Sequence, residues 1–392
     1  MEKSFAKQAR LWLRSGSSNA GGLVRARPVS LTLACRNVIA AASRQKWFSR
    51  LGEDESPATR GVYVPHEIND WLSHHGLSPA FDTFESQGVA VGQGLRTGAN
   101  GFFYADGQCH GHEVTLKFSA PLVGLTAKAP LSIAKPVLRR QSDLPSGFAV
   151  LSATARGYAL DLRGYALPED MEACDLFSTP YRLMPMELAA VVRAAVRANF
   201  GTSEKPQKVF ELTAVSPNVR PASRGAPARH WYMLPKFAPR HLPDVLLARV
   251  NSATPKAYLN VGRECLVDAN FSTMWTQATS KWTANALLAF MNSAWTRAVI
   301  EGSGAIMGGG ALKFEATHLR RVPVPALSED QLLRLDGLGA RLAMDERLNE
   351  TMAAIDAVIA VSLGCDEQGT RELESIARAG QSRRAKHKNN RG

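Results

Sequence analysis

The sequence lacks the short motifs that mark common catalytic sites. It contains no Gly-x-x-x-x-Gly-Lys-Ser/Thr loop for nucleotide phosphates, no Gly-x-Ser-x-Gly nucleophile turn and no His-Glu-x-x-His zinc motif. The tetrapeptide Asn/Asp-Pro-Pro-Tyr/Phe, with which amino-methylating enzymes hold a target amine, is also absent. Gly92-Gln93-Gly94 is not followed by the third glycine of a dinucleotide fingerprint. These absences predict that the chain has no complete catalytic centre and binds no cofactor of its own.

Cysteine is scarce, and long apolar runs are missing. The 5 cysteines are far apart with no Cys-x-x-Cys spacing, which indicates unpaired thiols in a reducing compartment. Cys109, His110 and His112 are close together, but a structural zinc needs four ligands and no second pair is present, so we predict no metal site. No apolar run reaches the roughly eighteen residues of a membrane span. We therefore expect no membrane contact and a cytoplasmic, nucleoid-associated bacterial location.

Positive charge is present in excess. The 392 residues carry a formal net charge of +12, and 45% of them are hydrophobic, which is enough for a substantial buried core. Such a surplus favours a polyanionic partner, because each phosphate contact releases condensed counterions. Many soluble proteins are basic for solubility alone, so charge by itself does not decide between nucleic acid and no partner.

The apolar residues follow helix and strand periods in turn, and they predict an α+β fold. A β-rich domain with interleaved helices is expected over 61–328, after a helical N-terminal segment over 1–60 that docks a partner. C-terminal helices follow over 329–380, then a basic disordered tail over 381–392. Helices are predicted over 66–75, 180–198 and 283–300, with two more within 329–363. Strands are predicted over 87–91, 114–118, 133–138, 148–151, 158–162, 245–250 and 258–261.

A glycine-dense turn offers the first candidate contacts with nucleic acid. Gly94 and Gly98 let the backbone approach another chain closely. Arg96, Thr97 and Asn100 supply hydrogen-bond donors for phosphates or base edges. An equal alternative is a structural turn in which Thr97 and Asn100 only satisfy backbone groups.

A basic loop offers a second set of candidate contacts. Arginine bonds phosphate and guanine bidentately, and aromatic rings stack on bases. The alternative packs at least one of the two aromatic rings in the core and leaves the arginines in solvent. The candidates are Arg220, Arg224, Arg229, Trp231, Tyr232, Lys236 and Arg240.

Two smaller groups complete the candidate contacts. Arg139 and Arg140 follow a predicted strand and are interpreted as a phosphate clamp or as a plain surface pair. Gly309 belongs to a glycine-rich turn, and Lys313 follows it, which would place a cation beside closely approaching backbone. Those glycines equally suit a simple turn between helix and strand.

Several segments, in order, resemble a known family. They are Val91–Tyr104 with Gly-Leu-Arg-Thr-Gly-Ala-Asn, Arg229–Tyr232, Leu287–Ser293, the glycine-rich Gly308–Glu315, and Leu319–Pro325 with Val-Pro-Val-Pro. This ordered set resembles the C-terminal target-recognition region of TaqI-like (gamma-class) adenine-N6 DNA methyltransferases and related restriction–modification enzymes. The resemblance covers roughly residues 60–380. It implies that 61–328 is a DNA target-recognition domain whose candidate residues contact double-stranded DNA.

The chain departs from that family in what precedes the glycine-dense turn. Only about ninety residues lie before it, too few for a methyltransferase domain of typical size. We therefore expect the specificity subunit of a split, two-subunit enzyme, with S-adenosylmethionine and the catalytic centre in a partner subunit. The alternatives are a non-enzymatic DNA-binding defence component and a self-contained nucleic-acid enzyme. That enzyme would use acids such as Asp82, Glu85, Glu113 and Asp161.

Overall fold

A computed structural model of the chain describes residues 61–171, 181–223 and 227–389, with side chains to Ala385 in the last helix. The segment predicted as helical over 1–60, the candidate Arg224 and the last three residues lie outside the described residues. The chain divides into two units between Gly61 and Val62, so the described residues belong almost entirely to the second unit.

Each predicted strand coincides with a described strand to within a few residues, and the structure adds strands that were not predicted, such as those over 104–110, 126–130 and 271–276. In chain order they are β1 (Phe81–Asp82), β2 (Val89–Gln93), β3 (Tyr104–His110), β4 (Glu113–Phe118), β5 (Thr126–Pro130), β6 (Ala134–Leu138), β7 (Ala149–Val150), β8 (Gly157–Leu160), β9 (Tyr165–Ala166), β10 (Arg182–Leu183), β11 (Val245–Ala248), β12 (Val250–Asn251), β13 (Ala257–Asn260), β14 (Leu266–Val267), β15 (Phe271–Thr276), β16 (Ala305–Ile306), β17 (Leu312–Lys313) and β18 (Val324–Pro325).

The helices lie between these strands and at the C-terminal end. They are α1 (His66–His74), α2 (Asn100–Phe103), α3 (Pro168–Met171), α4 (Met186–Arg197), α5 (Ala284–Met291), α6 (Ala294–Ser303), α7 (Ala316–Leu319), α8 (Glu329–Ala343), α9 (Leu348–Leu363) and α10 (Glu367–Asn389). This is the mixed α+β fold that the sequence predicted. No single described helix is long and apolar enough to cross a membrane; α9 and the part of α10 up to Ala385 meet that test only as a pair, bent by 109°.

Two larger sheets organise the strands. The five-stranded sheet has the order β2-β15-β11-β13-β7 and is antiparallel except where β13 meets β7. The six-stranded sheet has the order β14-β6-β8-β3-β4-β5 and is antiparallel except where β14 meets β6. Smaller ribbons pair β12, β17 and β16, β1 with β18, and β9 with β10.

The five-stranded sheet packs one face against the helices. Val91 and Met274 face each other on neighbouring strands and share a core with Leu287 of α5. Leu335 of α8 and Ile355 of α9 belong to the same core. The predicted boundary at 328/329 therefore falls inside one core, and the apolar stripe of the C-terminal helices is covered by its own chain.

The six-stranded sheet has a core of its own. In β4 the sequence Glu-Val-Thr-Leu-Lys-Phe alternates, so that Val114, Leu116 and Phe118 are buried while Glu113 and Lys117 are exposed. The buried residues pack with the apolar side of α4 and with the end of the basic loop.

One long helix predicted over 283–300 is two helices. Asn292 leaves the helical path, and its side chain bonds both the backbone nitrogen and the backbone oxygen of Ala257 in β13, at 3.1 and 3.2 Å. Ser293 then caps α6 by accepting a hydrogen bond from the backbone nitrogen of Thr296 at 3.2 Å. A helical period in the apolar residues persists across such a break, so periodicity did not reveal it. The helix predicted over 180–198 likewise begins only at Met186, after Pro185.

The C-terminal tail is helical where the prediction was disorder. Helix α10 continues to Asn389, and Arg384 is only 2% exposed. Its guanidinium bonds both carboxylate oxygens of Glu301 at 2.9 Å, and it also donates to backbone oxygens such as that of Ala253 at 2.7 Å. A buried pair with this many hydrogen bonds offsets the cost of removing two charges from water.

We predict that Arg384→Ala lowers the free energy of unfolding by roughly 3–5 kcal/mol, because it leaves the Glu301 carboxylate buried without a partner. The matched control is Arg383→Ala, which removes an exposed ion pair with Glu67 and costs about 1 kcal/mol or less. Denaturant unfolding of both variants measures the difference. Equal losses would show that the buried pair does not anchor α10.

Candidate nucleic-acid interface

The two larger sheets meet at a tight turn over 268–270. The backbone nitrogen of Leu95 donates to Val267 at 2.7 Å, and Leu95 accepts from the backbone nitrogen of Ala269 at 2.9 Å. Gly94 lies so close that a Cβ on it would come within 2.3 Å of the carbonyl oxygens of Val267 and Asp268. Its lack of a side chain therefore serves approach to its own chain, and the prediction that Gly94 faces DNA is wrong.

A buried polar contact strengthens this junction. The Tyr104 hydroxyl donates to the Asp268 carboxylate at 2.9 Å. Burial raises the pKa of both groups, and the nearby carboxylate raises that of Tyr104 further. The Asn270 side-chain amide donates to the carbonyl oxygen of Arg139 at 2.9 Å, so the turn also holds the end of β6.

Arg139 and Arg140 were predicted together, but the structure separates them. The Arg139 side chain is 8% exposed and pairs with the carboxylate of Asp106. A buried, paired guanidinium cannot clamp a phosphate, so Arg139 leaves the predicted interface. Arg140 is exposed beside it and remains a candidate.

The candidates in the glycine-dense turn likewise separate into residues that stabilise the turn and residues that are available to a ligand. Thr97 is 2% exposed, and its hydroxyl donates to the side-chain oxygen of Asn100 at 2.6 Å. Gly98 has a φ of +77°, and a Cβ there would lie 2.5 Å from that of Ala214. The structural-turn alternative therefore holds for Thr97, whereas Arg96 and Asn100 are exposed; Gly98 is exposed too, but its lack of a side chain serves the approach to Ala214.

The two aromatic residues of the basic loop also differ. Tyr232 is 1% exposed; its hydroxyl donates to Asp170 at 2.7 Å and accepts from the backbone nitrogen of Leu167 at 3.3 Å. It is a core residue, and the prediction that it stacks on a base is wrong. Trp231 is half-buried, with its ring 4.8 Å from that of Phe102.

A network of hydrogen bonds links Arg96 and Arg249 to the 268–270 turn. Arg96 donates to the side-chain oxygen of Gln93 at 2.6 Å, and Gln93 donates to the carbonyl oxygen of Ala269 at 2.8 Å. Arg249 donates to the same carbonyl at 3.0 Å. One backbone oxygen thus joins residues from β2, from the turn and from the end of β11.

The same hydrogen-bond network extends to the second glycine-rich segment, Gly308–Glu315. Arg249 pairs with Glu315, and the ammonium of Lys313 lies 3.3 Å from the other carboxylate oxygen of Glu315. Arg96, Arg140, Arg249 and Lys313 thus surround one turn, and we call them the turn cluster. Arg249 is not among the sequence-based candidates, because it lies within an apolar strand pattern, Val-Leu-Leu-Ala-Arg-Val. Its single charge is the only feature of that segment that indicates a binding residue.

The rest of the basic loop is exposed to different degrees. Arg220 and Lys236 are exposed, and Arg229 is half-buried. Arg240 is exposed and donates to the ring Nε2 of His241 at 3.1 Å. Burial, and then the charge of Arg240, lower the pKa of His241 to about 4, so this imidazole is neutral at pH 7 and can accept.

The fold brings the predicted segments into contact. The glycine-dense turn touches the basic loop where Gly98 faces Ala214 and where Phe102 meets Trp231. Gly309 stands apart at an exposed turn, where a Cβ would meet nothing within 4 Å. Exposed candidates from both segments therefore belong to one contiguous part of the molecule.

The acids considered for a self-contained enzyme each have a separate partner. Asp82 accepts from Gln87 at 2.7 Å, and the other three pair with cations in three different places. These pairs are Glu85 with Arg320, Glu113 with Lys128, and Asp161 with Arg163. Within the described ranges, no group of three or more His, Cys, Asp or Glu side chains is placed to hold a metal ion.

One part of this junction, the 268–270 turn, lies in a segment that is similar to a methyltransferase domain. Residues 227–360 match the family model of the C-terminal domain of the type II methyltransferase M.Eco57I. This match confirms the resemblance of that segment to the C-terminal region of gamma-class methyltransferases. It includes the 268–270 turn, Arg249 and Lys313, whereas Arg96 and Arg140 lie outside it. No curated protein matches the chain.

We predict that Gly94→Ala destabilises the protein by more than about 2 kcal/mol, because the added methyl group collides with backbone that cannot move aside. Gly309→Ala is the matched control from the same candidate set, and its unfolding transition should shift by less than about 0.5 kcal/mol. Thermal and denaturant melts of both variants measure this. A stable Gly94→Ala protein that fails only to bind DNA would restore Gly94 to the interface.

Proposed function

We propose that this chain is the DNA target-recognition subunit of a two-subunit adenine-N6 DNA methyltransferase in a restriction–modification or defence system. The observation that carries the proposal is the match of residues 227–360 to a methyltransferase C-terminal domain, in which the 268–270 turn binds the guanidinium of Arg249. The partner subunit would bind S-adenosylmethionine and take the target adenine out of the helix into its own pocket. This chain would hold the duplex and supply sequence-reading contacts.

The turn cluster suits contact with a DNA backbone. Arg96 and Arg140 are exposed and have no carboxylate partner among the described residues. Gln93 holds Arg96 by a 2.6 Å hydrogen bond, which restricts the guanidinium before DNA arrives. Arginine and lysine contacts with phosphates supply affinity, while base edges supply sequence information. The turn cluster would therefore contribute mainly to the affinity for DNA rather than to the choice of sequence.

A methylation assay tests whether this chain supplies DNA binding while a partner subunit supplies catalysis. The candidate partner is a protein that carries Asn/Asp-Pro-Pro-Tyr/Phe and is encoded beside this chain. Duplex DNA, labelled S-adenosylmethionine and each subunit alone should give little transfer, and both subunits together should give full transfer. Full activity from this chain alone would refute the proposal. DNA binding without methylation in any combination would favour a non-enzymatic DNA-binding component.

We predict that Arg96→Ala weakens duplex binding by about three- to tenfold and lowers the slope of log affinity against log salt by about 0.9, because one phosphate contact is lost. The melting temperature should not change, since the Arg96 side chain is exposed and, among the residues that the structure describes, bonds only Gln93. The control is Arg334→Ala, an exposed arginine on α8. Fluorescence anisotropy across a salt series gives both numbers; a fall in stability with binding unchanged would assign Arg96 a structural role.

A further inference from the structure

Three arginines line one cavity beside the basic loop. Its volume is about 320 Å³, and its lining includes the guanidinium-bearing residues Arg163, Arg220 and Arg229 together with Tyr181 and Met233. No carboxylate lines it among the described residues. We call this site the arginine cavity. Arg163 had no place in the sequence-based candidates, because it lies about sixty positions from the basic loop.

The backbone holds two of these like charges opposite each other. Arg220 and Arg229 form an isolated antiparallel bridge, with hydrogen bonds of 2.9 and 2.8 Å between their backbone groups. Directly opposed like charges destabilise a strand pair unless something neutralises them. Burial, and then the charge of Arg220, lower the pKa of Arg229. Among the described residues no carboxylate pairs with either guanidinium, so this part of the fold maintains a positive pair.

Two of the three guanidiniums are already fixed in place. Arg229 donates to the backbone oxygens of Asn218 and Pro217 at 2.5 and 2.9 Å. Arg163 bonds both carboxylate oxygens of Asp161 at 2.7 and 2.6 Å, and it lies 4.4 Å above the ring of Phe237. Each keeps one terminal nitrogen without a bond to the described residues. These two groups are therefore preorganised.

The third guanidinium is available to a ligand. The Arg220 side chain is exposed and has no hydrogen-bond or ion-pair partner in the described part of the chain. Asp161 neutralises Arg163, so the cavity retains the charges of Arg220 and Arg229. A volume of 320 Å³ lies near the lower end of the roughly 300–1,000 Å³ usual for ligand sites, which leaves room for a phosphate and part of an attached sugar.

We propose that the arginine cavity binds a phosphate group, with Arg220 closing on an oxygen pair that Arg229 and Arg163 help to orient. The planar guanidinium fork matches phosphate oxygens bidentately, which an isolated ammonium does not. The phosphate belongs to the backbone of bound DNA, an identification that rests on the proposed function. A free nucleotide offers the same chemistry and is separated by the experiment.

The test compares Arg220→Ala, Arg220→Lys and the control Arg334→Ala in the full chain. Anisotropy with a DNA duplex should show Arg220→Ala binding about three- to tenfold more weakly, with a salt slope lower by about 0.9. Arg220→Lys should recover the slope but only part of the affinity, because it keeps the charge without the fork. Thermal melts should show no loss of stability for either variant, since the Arg220 side chain has no bond to lose in the described residues and its removal relieves repulsion with Arg229.

A second arm uses small phosphates to separate the two sources. Inorganic phosphate and deoxyadenosine monophosphate are titrated by calorimetry into the wild type and into Arg220→Ala. If the natural ligand is a DNA phosphodiester, both small phosphates bind at millimolar levels or more weakly, and Arg220→Ala weakens duplex binding as described above. If the natural ligand is a free nucleotide, the wild type binds deoxyadenosine monophosphate tightly, Arg220→Ala abolishes that binding, and duplex binding is unchanged.

The two proposals fail in different ways. Duplex and small-phosphate binding unaffected by Arg220→Ala would overturn the phosphate cavity and leave the recognition subunit standing. Absence of duplex binding, alone and with the partner subunit, would overturn the recognition subunit, while monophosphate binding sensitive to Arg220 would keep the cavity. If Arg220→Ala does not fold, Arg220→Lys still tests the need for the fork.

Discussion

The approach of the Gly94 backbone to the 268–270 turn is the constraint on which the rest of the site depends. The turn lies between β14, which ends the six-stranded sheet, and β15 of the five-stranded sheet. Leu95 bonds both of its sides, and no side chain fits between the two backbones. This closeness brings Arg249 and Gln93, which in turn holds Arg96, to one carbonyl oxygen, that of Ala269. A larger residue at position 94 would separate the sheets and the cations together.

The arginines of this protein divide into two classes, and net charge does not distinguish them. Arg139 and Arg384 are buried and bonded to carboxylates, where they hold strands and the last helix in position. Arg96 and Arg220 are exposed and have no carboxylate partner within the described ranges. The formal charge of +12 counts both classes equally. A buried, paired arginine cannot release counterions from DNA, so the proposed function rests on the accessible part of the positive charge.

The methyltransferase-related segment and the candidate interface overlap without coinciding. The match over 227–360 includes the turn, Arg249, the helices α5, α6 and α8 of the larger core and most of α9. Arg96, Arg163 and Arg220 lie outside it, on strands and loops that the fold brings to the same region. This division agrees with a scaffold that is shared within a family and contact residues that come from more variable connections. The surface proposed to read DNA is thus assembled from both parts of the chain.

The sequence by itself determined the α+β class, the positions of several strands and the resemblance of the C-terminal region to methyltransferases, because apolar periodicity and ordered motifs are local properties. It also indicated which segments matter, from the glycine-dense turn to the basic loop. Only the tertiary structure decided which residues of those segments face solvent. Gly94 and Tyr232 suit a DNA contact by type, yet partners far along the chain bury them. Burial depends on such distant partners, and no local pattern records them.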